Sequence, residues 1–258
     1  MPFRKSPAAY DEAFIDTMAS AYLERTPWTQ LRLDALAELV GPRPDDRILD
    51  LGCAAGALTH FFAQSGARVV GVDSEPRAIE KARALFPDLE FVQADVAILP
   101  FADESFDKAV AGDLVEHLDD ETFASMLREV RRVLVPGGTL SIYTPNPRHP
   151  IERLKAHNIV LAQNPTHIGL RTEAELARML ETNGYTIERL AWTPSFFRGL
   201  RLLERALGKR FESWRYRLCI RAYVKRDRPL PGPVPWSARS SPPPSIWRRS
   251  SRCRDSQR

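Results

Sequence analysis

Residues 48–59 read Ile48-Leu49-Asp50-Leu51-Gly52-Cys53-Ala54-Ala55-Gly56-Ala57-Leu58-Thr59. A short apolar run closes on an acidic residue, and a turn of glycine and small residues then opens a helix. A parallel strand hands over to a helix N-terminus in this way where a ligand approaches the backbone. Gly52 and Gly56 leave out side chains that would obstruct that approach. A second apolar run, Val69-Val70-Gly71-Val72, closes on Asp73. That is about 20 residues on, where doubly wound folds place a ribose-binding carboxylate. The pairing predicts a nucleoside-containing cofactor. An ordinary tight strand-to-helix turn is the alternative that the segment alone leaves open.

The dinucleotide fingerprint needs glycine at i, i+2 and i+5, because a pyrophosphate sits directly over the turn. Counted from Gly52, this chain has Ala54 and Ala57 at those later positions and its second glycine at Gly56. A methyl at Ala54 crowds a pyrophosphate, whereas an adenosyl group without phosphates needs less room. The segment 50–56 resembles motif I of the class I S-adenosylmethionine-dependent methyltransferases, although the family's usual glycine is replaced by Ala54. The resemblance implies S-adenosyl-L-methionine as cofactor, with Asp50, Gly52, Cys53, Ala54 and Gly56 around it. It places Asp73, with Ser74 beside it, on the ribose hydroxyls. A carboxylate suits that role because it accepts two hydrogen bonds from one diol; a helix-capping aspartate is the plainer alternative.

Composition bounds the class. The chain has 258 residues, 43% hydrophobic and 27% charged, as in ordinary globular proteins. No apolar run reaches the roughly 18 residues needed to span a bilayer, and the start, Met1-Pro2-Phe3-Arg4-Lys5, has no signal-peptide core. Cys53, Cys219 and Cys253 are odd in number and far apart, which predicts a reducing compartment, the cytoplasm, and no structural zinc. The net charge of +4 is uneven: residues 226–258 hold eight arginines against two aspartates, so the preceding residues sum to about −2. That proline-, serine- and arginine-rich tail cannot bury enough apolar surface to offset its ordering entropy, and disorder is expected. With a body that is not basic, no nucleic-acid partner is expected.

Three segments follow: N-terminal helices over 1–44, a catalytic domain over 45–225 and the tail over 226–258. Residues from Ala8 to Val40 read as two helices broken near Pro27, the second with Leu33, Leu36, Ala37, Leu39 and Val40 on one face. Apolar strands are expected at Ile48–Leu51, Arg68–Asp73, Leu89–Asp95, Phe106–Gly112 and Thr139–Thr144. Helices at Gly56–Gln64, Glu75–Leu85 and Glu121–Leu134 alternate with them, and Pro136-Gly137-Gly138 turns into the fifth strand. Thr172–Asn183 is a capped helix and Tyr185–Trp192 a strand. From Trp214 to Lys225 apolar and basic residues alternate strictly, which predicts a half-exposed antiparallel strand. Phe196–Leu207 is helix-like, an edge or substrate wall rather than a membrane contact. The order resembles the methyltransferase fold: an α/β, Rossmann-like doubly wound sheet, mostly parallel with an antiparallel seventh strand.

The remaining site residues come with that resemblance. Asp95 and Val96 match the family's adenine contact, although Asp95 also fits a loop cap. Gly112 lies where the backbone meets the sulfonium end. His117, five residues beyond in Gly112-Asp113-Leu114-Val115-Glu116-His117, borders the ligand crevice at the open end of a strand. It is the candidate general base for an oxygen acceptor; anchoring the loop is the alternative. Asp113, Glu116 and His117 echo a cluster of metal-assisted members, but the Glu-His pair also occurs in members without metal, and no metal is assigned. The stretch from Thr144-Pro145-Asn146-Pro147 to Thr172 holds His149, His157 and His167 and falls where the family builds its substrate cover. The expected function is methyl transfer to a small-molecule acceptor, at oxygen. A non-catalytic cofactor- or partner-binding module of the same fold is the alternative.

Overall fold

The five expected apolar runs all become strands of one sheet in the computed structural model. The structure describes residues 20–22, 24–150, 152–153, 166–193, 207 and 217–224. β1 (Arg47–Leu51), β2 (Arg68–Asp73), β3 (Glu90–Gln93), β4 (Phe106–Gly112) and β5 (Leu134–Pro145) pair in parallel. β6 (Tyr185–Trp192) and β7 (Arg217–Val224) extend the sheet to the order β3-β2-β1-β4-β5-β7-β6, with β7 antiparallel to both neighbours. Strand order reverses beside β1 and β4, so their C-terminal ends open a crevice where ligands bind in such sheets.

Each helix starts for a local reason. Thr26 caps α1 (Pro27–Val40) by accepting from the Thr29 N–H, and Pro27 supplies the fixed φ of a first turn. Gly56 opens α2 (Ala57–Ala63), and Pro76 opens α3 (Pro76–Leu85). Asp119 caps α4 (Asp120–Val133), while Thr172 and Glu175 form a reciprocal capping box at α5 (Glu173–Thr182). Phe123, Met126, Leu127 and Val130 of α4 join Leu176 and Leu180 of α5 in the main core with Leu49, Ala109 and Ile142 of the sheet. α1 buries Leu33, Leu36, Leu39 and Val40 and contacts α2, β4, β5 and β7.

Two boundaries differ from the sequence reading. β3 is shorter than Leu89–Asp95, because Asp95 turns the chain by accepting the Ala97 N–H. β5 starts directly after α4 and runs through Pro136-Gly137-Gly138. Leu134 pairs with Phe106, and the ladder resumes past an irregularity at Lys108–Thr139. The alternating segment is the expected antiparallel strand, and it lies between β5 and β6: Leu218, Ile220, Ala222 and Val224 are buried while Arg217, Arg221 and Tyr223 are partly exposed, with buried Cys219 the one departure. The first expected helix up to residue 19, His157, nearly all of Phe196–Leu207, residues 214–216, Cys253 and the tail lie outside the described residues. Among the described residues, no helix is long and apolar enough to cross a membrane.

Candidate active site

The turn after β1 is held by backbone bonds. The Gly52 and Cys53 N–H groups both donate to the Val72 carbonyl, at 2.8 and 2.9 Å. Gly52 and Gly56 have φ of 69° and 81°, and an added Cβ would lie 2.8 Å from Leu114 and 2.6 Å from Phe91. The glycines therefore serve the protein's own packing as well as open space above the turn. Ala54 also sits in the left-handed region, at φ 46°, with its side chain exposed. Its N–H donates to Asp73 Oδ2 at 3.0 Å, and the Glu75 N–H donates to Asp73 Oδ1 at 2.9 Å. Asp73 is thus aimed over the turn, half-buried, beside exposed Ser74.

Asp50 is a different kind of carboxyl. It is buried, and the Thr59 hydroxyl donates to it at 2.6 Å. Burial pushes it up to about 7, against the opposing pull of the Thr59 bond and the Arg32 charge. Cys53 is buried, and burial pushes its thiol up, so it is no reactive thiolate. Val96 is buried in the core, and Asp95 is exposed at the end of β3.

Across the crevice, β4 ends at Gly112 and a 3-10 turn covers Val115–His117. The Gly112 carbonyl accepts from Arg32 Nη2 at 3.2 Å. Asp113, at φ 54°, pairs with Arg32 at 2.6 Å and Arg217 at 3.3 Å. Burial alone would raise its pKa, but Arg217 and Arg32 outweigh burial and hold the carboxylate below its ordinary range. Glu116 is 1% exposed and accepts from the Thr144 hydroxyl at 3.0 Å; burial, reinforced by the Asp113 charge, pushes it up to about 8.

His117 Nδ1 lies 3.1 Å from the Thr166 carbonyl oxygen. A carbonyl can only accept, so Nδ1 carries the proton and the lone pair of the neutral ring sits on Nε2. The His167 ring meets His117 edge-on at 4.8 Å. Burial above all lowers His167 to about 4, so it is a neutral imidazole at pH 7. Glu116, His117 and His167 bring ligand atoms within 4.8 Å of one another, a set able to hold a metal ion. Asp113 is not part of that set.

The 3-10 turn is clamped from the far side. The Gly169 N–H donates to the Glu116 carbonyl, and buried Arg171 donates to the carbonyls of Val115 and Leu118 and to Asp120. A Cβ on Gly169 would strike the Leu118 carbonyl oxygen.

The crevice thus combines a glycine turn, an aspartate held over that turn and an imidazole across from them. A family model described as a methyltransferase domain matches residues 48–138. Residues 48–138 belong to the class I S-adenosylmethionine-dependent methyltransferases. A probable S-adenosylmethionine-dependent methyltransferase of Mycolicibacterium smegmatis is 33% identical over 55% of this chain and 52% of its own length. A ubiquinone biosynthesis O-methyltransferase of Alkalilimnicola ehrlichii is 34% identical over 46% of this chain and 49% of its own. The chain spans about half the length of these curated relatives. The solved structure of a methyltransferase from Aquifex aeolicus superposes with a TM-score of 0.60 over 83% of this chain and 99% of that one; at 17% identity the likeness shows the methyltransferase fold.

Arg32, Arg217, Arg171 and Tyr22 escape a sequence reading of the site. They come from α1, β7, the stretch before α5 and the segment before α1, with no spacing that ties them to Gly112. His167 is visible in the sequence only as one of several histidines in a long connection.

Proposed function

We propose that this methyltransferase domain transfers a methyl group from S-adenosyl-L-methionine to a hydroxyl of a small molecule in the cytoplasm. The observation that carries the reading is His117 at the open end of β4, an imidazole with Nδ1 committed to a carbonyl and its basic lone pair on Nε2. The donor set suits the cofactor. Asp73 presents a carboxylate to a ribose diol, Asp95 and Val96 lie at the end of β3 for the adenine, and Gly112 lies at the sulfonium end. Asp50 and the buried Arg32 cation provide opposite charges for an amino-acid zwitterion. Bound S-adenosyl-L-methionine supplies an electrophilic methyl on a sulfonium, a leaving group that needs no activation. The protein's own contribution is positioning, worth several kcal/mol, and removal of the acceptor's proton by His117. Clamping of the Val115–His117 turn by Arg171 keeps that base in place.

A second reading rests on the grouping of Glu116, His117 and His167. One carboxylate and two imidazoles suit zinc, manganese or iron better than magnesium, and a metal there would polarise the acceptor oxygen. The deciding experiment is transfer from methyl-labelled cofactor to a metabolite extract, with and without EDTA. Labelled product insensitive to EDTA supports the base, and EDTA inactivation reversed by added metal supports the ligand set. Binding of S-adenosylhomocysteine without any labelled product would leave a non-catalytic module.

A further inference from the structure

Asp113 directly follows β4 with a backbone φ of 54°, in the left-handed region that residues bearing a side chain rarely adopt. Asp45 and Glu104 share that region but stand on exposed turns. Asp113 instead is tied down on every side. Its N–H donates to the Tyr143 carbonyl of β5 at 2.7 Å. Its carboxylate, with the side chain 16% exposed, meets Arg32 of α1 and Arg217 of β7. Both guanidiniums are held in turn, 5.7 and 5.8 Å from the centre of the Tyr143 ring, and the Tyr22 ring lies 4.9 Å from Arg32. A strained conformation persists only where its surroundings over-determine it, and such residues gather at functional sites.

The effect of the bend shows in the next four residues. Leu114 is brought over the end of β1, where its Cδ1 lies 2.8 Å from the place a Cβ on Gly52 would take. The Leu114 carbonyl accepts from the His117 N–H at 2.9 Å, within the 3-10 turn. An extended or right-handed residue at 113 would redirect the chain, and Leu114 and the turn with it. We propose that Asp113 is a positioning residue for methyl transfer: its ion pairs with Arg32 and Arg217 hold the left-handed bend that packs Leu114 on the glycine turn and fixes His117 across from it. The proposal rests on the reading of His117 as the base. Asp113 touches neither the reacting atoms nor a metal; it acts through the backbone of the turn, whereas Arg171 grips the carbonyls of that turn from the far side.

Two variants at the same position test it. Asp113→Gly leaves the bend accessible and removes both ion pairs, whereas Asp113→Asn keeps the shape, an acceptor for Arg32 and tolerance of positive φ. Each is measured for transfer from methyl-labelled S-adenosyl-L-methionine to a metabolite extract and for S-adenosylhomocysteine affinity by calorimetry. Long-range proton–nitrogen correlation spectra of the imidazoles, taken in EDTA, report the tautomer of His117. Asp113→Gly should slow transfer about 10²-fold, the cost of a misplaced group, with S-adenosylhomocysteine affinity nearly unchanged. The single Nδ1–H tautomer of His117 in the wild type should become a mixture. Asp113→Asn should recover most of the rate and the wild-type spectrum. An Asp113→Gly protein that melts lower yet keeps the wild-type rate and spectrum overturns the proposal, because Asp113 would then serve stability alone. Equal losses of rate and S-adenosylhomocysteine affinity overturn it as well, placing Asp113 at the cofactor. If Asp113→Gly does not fold, Arg217→Gln decides: it leaves Asp113 on Arg32 alone, and a wild-type rate and spectrum there overturn the clamp. A wild type that transfers no methyl overturns the base reading instead, and the imidazole spectra still decide whether Asp113 sets the turn.

Discussion

Asp73 and Asp113 stand at the ends of two parallel strands, β2 and β4, facing one crevice, yet they are built in opposite ways. Asp73 accepts from the backbone of Ala54 and Glu75, within the glycine turn and the next helix start. Asp113 is held by two guanidinium groups, Arg32 and Arg217, from distant parts of the chain. The β2 end, the proposed cofactor side, is a backbone construction, dictated by short-range turns. The β4 end, the proposed acceptor side, is a side-chain construction, assembled only when α1, β7 and the stretch before α5 pack around β4.

The sharpest separation of the two sides comes from His117→Ala. Methyl transfer should fall about 10²- to 10⁴-fold with S-adenosylhomocysteine affinity nearly unchanged, and part of the rate should return at high pH as the acceptor ionises unaided. Full turnover in that variant would reduce the acceptor side to positioning alone. Next in size, Arg171→Met should destabilise the fold by about 2–4 kcal/mol in urea titrations, because the Val115 and Leu118 carbonyls lose their donor. If stability holds while turnover falls, the clamp serves the site rather than the core. On the cofactor side, Asp73→Ala should weaken S-adenosylhomocysteine by about 1–3 kcal/mol by calorimetry; unchanged affinity would sink the ribose assignment.

Asp50 sharpens the comparison through pH. An unfolded aspartate titrates near 4, whereas burial holds Asp50 up to about 7 in the fold. The stabilisation from its protonated form is complete below about pH 4 and is lost as pH rises through about 7. Asp50→Asn should therefore flatten that decline, read as urea midpoints across the range, and identical slopes in both proteins would show Asp50 ionised in the fold. The smallest effect is expected at Ala54→Gly. Relief of a left-handed alanine, about 1–2 kcal/mol, is partly offset by the greater freedom of glycine when unfolded. A net gain of about 0.5 kcal/mol is expected, and a loss would mean that the methyl packs usefully.

How much is legible in the sequence follows the same division. The ends of β1 and β2, the starts of α2 and α3 and the Thr172 cap lie within a few residues of their predicted places, because turn and cap chemistry are local. The start of β5 lies earlier than predicted because Pro136-Gly137-Gly138 carries a turn signal that pairing with β4 overrides. Strict alternation marks β7 as antiparallel, but not as central, since that depends on β6 covering its other edge.

The sequence by itself determined the strand–glycine turn–helix, the acidic residue ending β2 and the alternation that builds a doubly wound sheet. Each rests on backbone sterics and periodicity within a short window. Only the tertiary structure decided that Asp113 is an ion-pair partner rather than a member of the Glu116–His117–His167 grouping. It alone decided that His117 holds its proton on Nδ1 and its lone pair on Nε2, and that Arg32 reaches both the Gly112 carbonyl and Asp113. Those outcomes depend on burial and on contacts between residues far apart in the chain, which no local pattern encodes.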